Sequence, residues 1–283
     1  MFIAEISSNH DRDLNRCLQL VSAASKAGFD AIKFQAFKVE SLFAKEILLA
    51  SQEHRKRAEW TFPIEFLSEI KKKCISHNIK LGITPFYLEA VSHCNEFVDF
   101  FKIASYELLW DDLINHCCST KKPLYISTGM ANMEEVKNCV KKVKSLNFDQ
   151  LCMMHCVSSY PAKSEELNLS AIESMRRELE IPVGWSDHSH KKEVILAAVL
   201  KWNAEVVEMH LDLDGKGAEF EPGHCWLPNE AEEVIKICKS IKDFEGNCLK
   251  QPSLSEEEER LWRTDPRDGL RPFFEIREKY KGK

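Results

Sequence analysis

Two spacings of apolar residues alternate along this chain. Short runs rich in β-branched, aromatic and other apolar residues recur, separated by stretches whose apolar positions fall three and four apart. The runs are FIAEISS near residues 2–8, AIKFQAF, KLGITPF, FFKIAS, PLYIST, LCMMHCV, PVGWSDH and VVEMHLDL. Consecutive apolar positions within a run suit strands covered on both faces, as in a parallel sheet. Between them, Leu14, Leu18 and Val21 form a helical stripe that Gly28 stops. Met133 opens a second helix with Val136, Val140 and Val143 on one face, and Asn229 is placed to cap a helix from Ala231 to Phe244. Eight β-then-α units predict a (β/α)8 TIM barrel over residues 1–245, followed by a short C-terminal extension over 246–283 that packs on the barrel or on a partner subunit. A doubly wound sheet leaves the count of eight unexplained, and no GxGxxG follows the first run.

Two segments break the alternation. Residues 38–65 form an insertion after the second strand, a lid or a packing arm. The extension is polar and punctuated by proline, yet carries Trp262, Phe273 and Phe274, which call for something to dock on. Composition adds little: 44% hydrophobic and 30% charged residues are ordinary for a soluble domain. The net charge of −6 argues against nucleic acid or an anionic membrane as partner. No apolar stretch is long enough to span a membrane, and the start, MFIAEISSNHD, has no basic leader, so a cytoplasmic protein is expected. The 11 cysteines contain no CxxC pair and read as reduced core thiols.

The chemistry gathers where each apolar run stops. Glu5, Ser7, Asn9 and His10 end the first strand; Lys33 and Gln35 the second; Thr84 the third; Lys102, Ser105 and Glu107 the fourth; Ser127 and Thr128 the fifth. His155, Ser158 and Tyr160 end the sixth, Ser186, Asp187 and His188 the seventh, and Glu208 and His210 the eighth. In a barrel these ends form one mouth, where active sites lie. Lys33 and Lys102 sit inside apolar strands, so each must meet an anion or lose its proton. Thr84, Ser105, Ser127 and Ser186 nearby suit a phosphate or carboxylate ligand; the alternative is a salt bridge to Glu5 or Asp187. His188 and His210 end adjacent strands and suit Mn, Fe, Co or Zn, with Glu5 as a further ligand or an acid/base group. Strand alternation turns His155 outward as a packing residue.

The motifs AEISSNH, GFDAIKFQAFK, GITPF, KIASYEL, PLYISTGM, HCVSSYPA, PVGWSDHS and EMHLDLD, in this order and spacing, resemble the sialic acid (N-acetylneuraminate) synthase family over about residues 1–245. The resemblance implies a TIM barrel that condenses phosphoenolpyruvate with an open-chain amino-sugar aldehyde. It implies a divalent metal, usually Mn2+, on His188 and His210, and a phosphoenolpyruvate site at Lys33, Thr84, Lys102, Ser105, Ser127 and Ser186. It implies sugar contacts at Gln35, Glu107 and Tyr160, Glu5 near the metal, and a homodimer. Glu5, Lys33, Lys102 and Glu107 are the expected catalytic residues.

Three departures lie mostly on the sugar side. Ser158 stands where the family usually carries asparagine. The loop after the eighth strand reads EFEPGHCWLP, with Glu221, Gly223 and His224 but no aspartate for the sugar. The family's C-terminal antifreeze-like domain, which lends an arginine to the partner's sugar site, is missing, leaving Arg263, Arg267 or Arg271 to replace it. Two rival readings remain: an enzyme of the 3-deoxy-octulosonate phosphate synthase type that takes a sugar phosphate, and a catalytically silent sugar-binding barrel.

Overall fold

The computed structural model describes residues 1–281, Lys242 through its backbone alone. Two compact units divide the chain, Met1–Lys239 and Ser240–Lys283. In the first, eight parallel strands close in sequence order: β1 (Phe2–Glu5), β2 (Ala31–Ala36), β3 (Lys80–Pro85), β4 (Phe100–Ile103), β5 (Leu124–Ser127), β6 (Leu151–Cys156), β7 (Val183–Asp187) and β8 (Val207–His210), with β8 returning to pair with β1. This is the (β/α)8 TIM barrel that the alternation of apolar runs predicts.

The two-residue period of a strand sorts its side chains. Phe2, Ala4, Ile32, Phe34, Leu81, Ile83 and Phe101 belong to the large apolar cluster between strands and helices. The alternate positions Ile3, Ala31, Phe100, Cys152, Met154 and Val206 form a separate small cluster, with Tyr125 against it. That second cluster plugs the barrel interior; burying Phe100 there contributes about 1.5–3 kcal/mol. Two residues farther along five of these strands the inward set changes chemistry. Ile3 gives way to Glu5, Ala31 to Lys33, Phe100 to Lys102, Tyr125 to Ser127 and Val206 to Glu208. A polar layer therefore rests on an apolar floor, at the C-terminal ends of the strands.

Helix Leu14–Lys26 is capped by the Asp13 side chain and ends before Gly28, whose φ of +89° suits glycine. Helix Met133–Ser145 carries a capping box between Asn132 and Glu135 and buries Val136, Val140 and Val143. The last barrel helix differs from expectation. It spans Pro228–Ser240, with a separate turn at Lys242–Glu245, rather than starting after a cap at Asn229. Proline's fixed φ suits the first turn, and Glu230 accepts from the Leu227 N–H at 2.9 Å. The insertion folds into short helices Val39–Leu42, Lys45–Ala50 and Gln52–Lys56. Phe62, near its end, stacks on Phe34 (4.9 Å between centroids) and meets the His10 ring edge-on.

The second unit is held by a local knot. Asp265 accepts from the Arg267 N–H (2.9 Å), Arg267 Nε (2.8 Å) and the Phe274 N–H (2.7 Å). The Arg267 and Arg277 guanidiniums both lie over the Phe274 ring. All the cysteines are unpaired and only Cys248 is exposed, in keeping with reduced core thiols. Among the described residues no helix is long and apolar enough to cross a membrane.

Candidate active site

Lys33 on β2 and Lys102 on β4 are each 2% exposed, and they converge on one carboxylate. Lys102 Nζ donates to Glu208 Oε1 at 2.9 Å, and Lys33 Nζ lies 3.7 Å from Glu208 Oε2. Lys33 also pairs with Glu5 and donates to Thr84 Oγ1 at 2.7 Å. Ser186 Oγ adds a bond to Glu208 Oε1 at 3.2 Å. Desolvating each of these ions costs several kcal/mol, and the mutual pairing offsets it. Burial lowers the Lys33 ammonium to about 7, and the Lys102 charge pushes the same way. Burial pushes Glu208 up, but Lys102 and Lys33 outweigh it and hold the carboxyl at about 2.

Of the two carboxylates named in the alternative salt-bridge reading, Glu5 pairs with Lys33, whereas Asp187 answers neither lysine. Its carboxylate accepts from Trp185 Nε1 (3.1 Å) and Ser189 Oγ (2.6 Å), bracing the end of β7. Asp187 follows the inward Ser186, so strand parity turns it away from the lysines. Glu208 takes the place the sequence reading offered to Asp187. Its signal was present: it shares the inward parity of the two lysines.

Around this charged layer stand hydroxyls. Ser105 Oγ accepts from the Gly129 N–H at 3.0 Å. A Cβ at Gly129 would lie 2.2 Å from Ser158 Oγ and 2.8 Å from Ser105 Oγ, so only glycine leaves this corner open. Ser127 Oγ and Ser158 Oγ are buried without a hydrogen-bond partner among the described residues. Glu107 follows on the turn that carries Ser105; burial raises its carboxyl to about 7, and its Oε2 also lacks a partner. Gln35 Nε2 reaches Glu5 Oε1 at 3.5 Å, and the Ser7 N–H binds the same oxygen at 2.6 Å. Ser7 adopts φ +47°, a strained value for serine that folds the chain back over Glu5.

The imidazoles occupy the rest of the mouth. The centroids of His188 and His210 are 5.2 Å apart at 66°, close enough for one ion to reach both. His188 Nδ1 lies 2.7 Å from the Val157 carbonyl, which only accepts; Nδ1 therefore carries a proton, and Nε2 is the nitrogen left to face an ion. Tyr160 covers His188 at 4.1 Å. Burial lowers His210 to about 4, helped by the neighbouring His188 and His224, so the ring is a neutral ligand at pH 7. His155 faces outward, with Nε2 on the Leu167 carbonyl at 2.9 Å, as strand parity requires.

The sequence reading gave no role to the next two residues. Glu219 and His224 arrive on the loop after β8. His224 centres 4.8 Å from His210, and ligand atoms of His210, His224 and Cys225 lie within 4.8 Å of one another. His210 Nδ1 and both His224 ring nitrogens are buried and lack hydrogen-bond partners among the described residues. Imidazoles with unanswered nitrogens beside a carboxylate fit a borderline divalent cation. The only sequence signal for this loop was a histidine in GHCW, which is weak without the fold.

A profile of the NeuB family matches residues 20–250 of the chain. The chain is 34% identical to the N,N'-diacetyllegionaminic acid synthase of Legionella pneumophila subsp. pneumophila, over 90% of its own length and 75% of that protein's. It is 28% identical to the N-acetylneuraminate-9-phosphate synthase of Mus musculus, over 88% of its length and 72% of the relative's. Its fold superposes with a TM-score of 0.81 on a crystal structure of N-acetylneuraminic acid (sialic acid) synthetase from Leptospira borgpetersenii serovar Hardjo-bovis, at 30% identity and covering 94% of this chain and 92% of that one.

Proposed function

Because the chain belongs to the NeuB family of sialic-acid-type synthases, we propose that it is a transferase that condenses phosphoenolpyruvate with an amino-sugar aldehyde, giving a nonulosonic 2-keto-3-deoxy acid and phosphate. One observation carries this reading: two buried lysines converge on Glu208 at the mouth, beside the Ser127 and Ser158 hydroxyls, which have no hydrogen-bond partner among the described residues. An anion with several oxygens can draw the ammoniums from Glu208 and bond both hydroxyls at once.

On this reading Lys33, Lys102, Thr84, Ser105, Ser127, Ser158 and Ser186 grip the phosphate and carboxylate of phosphoenolpyruvate. The open corner at Gly129 lets the ligand come close to the backbone. Gln35, Glu107 and Tyr160 hold the sugar with its aldehyde carbon against C3 of the enol. C3 bonds to that carbon, and the aldehyde oxygen becomes a hydroxyl. Water adds at C2, oriented by Glu5, and the C2–O bond to phosphate breaks. Glu107, its carboxyl near 7, gives and takes protons at the sugar. The lysines stabilise the negative charge that collects on the departing phosphate. A divalent cation, Mn2+ in this proposal, would be held by His188 and His210 and would supply Lewis-acid polarisation of the aldehyde oxygen. The remaining contribution is the alignment of two substrates.

The test is a screen of free aldoses and their phosphates with phosphoenolpyruvate and Mn2+, reading phosphate release and product mass. Release with a free amino sugar is expected. Release only with sugar phosphates would favour the second reading, to which a relative named for a 9-phosphate product lends support. No release with any aldose would overturn both.

A further inference from the structure

The loop after β8 is braced far more than its polar sequence suggests. The Asp212 carboxylate accepts from the N–H groups of Gly215 (2.6 Å) and Lys216 (3.0 Å) and from Arg16 Nη2 (2.7 Å). A Cβ at Gly217 would lie 2.2 Å from Asp212 Oδ1 and 2.6 Å from Asn9 Oδ1, so the chain crosses here only as glycine. Asn9 Oδ1 then accepts from the Glu219 N–H at 2.8 Å. This brace presents Glu219 to the mouth. Its Oε1 accepts from Ser7 Oγ at 2.6 Å and Ser8 Oγ at 3.2 Å, which leaves Oε2 to the imidazoles.

Glu219 Oε2 lies 3.6 Å from His210 Nδ1 and 3.8 Å from His224 Nε2. These separations are too long for hydrogen bonds. They are close to the ~3.4 Å expected between two ligand atoms that each sit about 2.1 Å from one tetrahedral ion. His224 is 3% exposed and His210 5%, and the facing nitrogens lack partners among the described residues. No lysine or arginine among the described residues pairs with Glu219 within 4.0 Å, so its charge lacks a permanent cation. Cys225 is the weaker donor here: its thiol is spent on the Glu219 carbonyl at 3.3 Å, and a hard or borderline ion prefers the carboxylate.

We propose that Glu219 and His224 are ligands, with His210, of the divalent cation at this mouth. The protein then encloses its ion with imidazoles and a carboxylate from the β8 loop, instead of leaving most of the sphere to water and substrate. The carboxylate supplies the negative charge that a pair of neutral imidazoles lacks. The inference rests on the reading that His188 and His210 hold a cation, and the test separates the two.

Cobalt(II) alone is titrated into the full-length protein, reading its visible d–d bands and the affinity by calorimetry, with no substrate present. Wild type, His188→Ala, His224→Ala and Glu219→Gln are compared. Glu219→Gln keeps an oxygen for the Ser7 and Ser8 hydroxyls, so it preserves the brace of the loop even where His224→Ala fails to fold. The expected result is binding at least ~10–100-fold weaker in both His224→Ala and Glu219→Gln, with altered bands. Wild-type affinity and bands in both, alongside weakening in His188→Ala, would overturn this inference and leave the histidine pair standing. A wild-type protein that binds no cobalt would sink both.

Discussion

On β8, Glu208 and His210 are two residues apart and point into the same mouth, yet they meet opposite surroundings. Glu208 lies between two ammoniums and a serine hydroxyl, so its charge is answered within the protein. His210 faces a carboxylate that is too distant to bond and a third imidazole whose nitrogens have no hydrogen-bond partner among the described residues. The lysine half is electrostatically closed before any ligand arrives. Substrate must compete there with Glu208 and Glu5 for the ammoniums, which favours a ligand carrying more negative charge than either. The histidine half presents ring nitrogens and a carboxylate oxygen, donors that suit a positive charge. A mouth divided this way sorts an anion to one side and a cation to the other.

The largest expected effect comes from breaking the closed half. Lys102→Met should lower kcat/KM for phosphoenolpyruvate by ~10³-fold or more, and it should destabilise the fold by about 3–5 kcal/mol because a buried carboxylate loses its partner. Adding Glu208→Leu should restore the melting temperature without restoring activity. If the double variant regained turnover, the lysine would be structural. Next, Glu107→Gln should lose ~10²–10⁴-fold in kcat and flatten the limb of the pH–rate profile near 7. The carboxyl is raised by burial, so the folded state keeps its proton while the unfolded chain ionises above about 4.5. Wild-type stability contributed by this group is therefore full at low pH and lost as pH rises through about 7. The glutamine variant should gain on wild type between pH 5 and 8, by ~3 kcal/mol at most, in thermal melts at both pH values.

Gly129→Ala probes the open corner between the halves. Its Cβ would press on Ser158 and Ser105, and a misplacement on the order of 1 Å costs up to ~10²-fold. Steady-state kinetics should show the loss in KM for phosphoenolpyruvate more than for the sugar. The smallest effect belongs to the C-terminal unit. Arg267 is held by Asp265 and Glu275, whereas Arg263 and Arg271 line a cleft with Trp262 and Thr264. Arg267→Ala removes the guanidinium that pairs with Asp265, so it should speed limited proteolysis within this unit and leave the melt of the barrel unchanged.

Much of this site was legible before any fold existed. A period of two along each strand already places Glu5, Lys33, Lys102, Ser127, Ser186 and Glu208 on one face, because successive side chains must point to opposite sides. Eight buried runs dictate a closed parallel barrel, and the polar residue that ends each run marks its mouth. Partner choice was not legible. That Lys102 meets Glu208, 106 positions away, follows from barrel closure. Asp187 follows the inward Ser186, so strand parity turns it toward Trp185 and Ser189 instead. Glu219 and His224 were invisible for a further reason. They stand on an irregular loop without periodicity, and the brace that aims them joins Asp212 and Asn9 to Arg16 across the seam where β8 meets β1. Local sequence sets which side chains enter the barrel; only closure of the barrel sets which of them meet, because a charge finds its partner through distance in space.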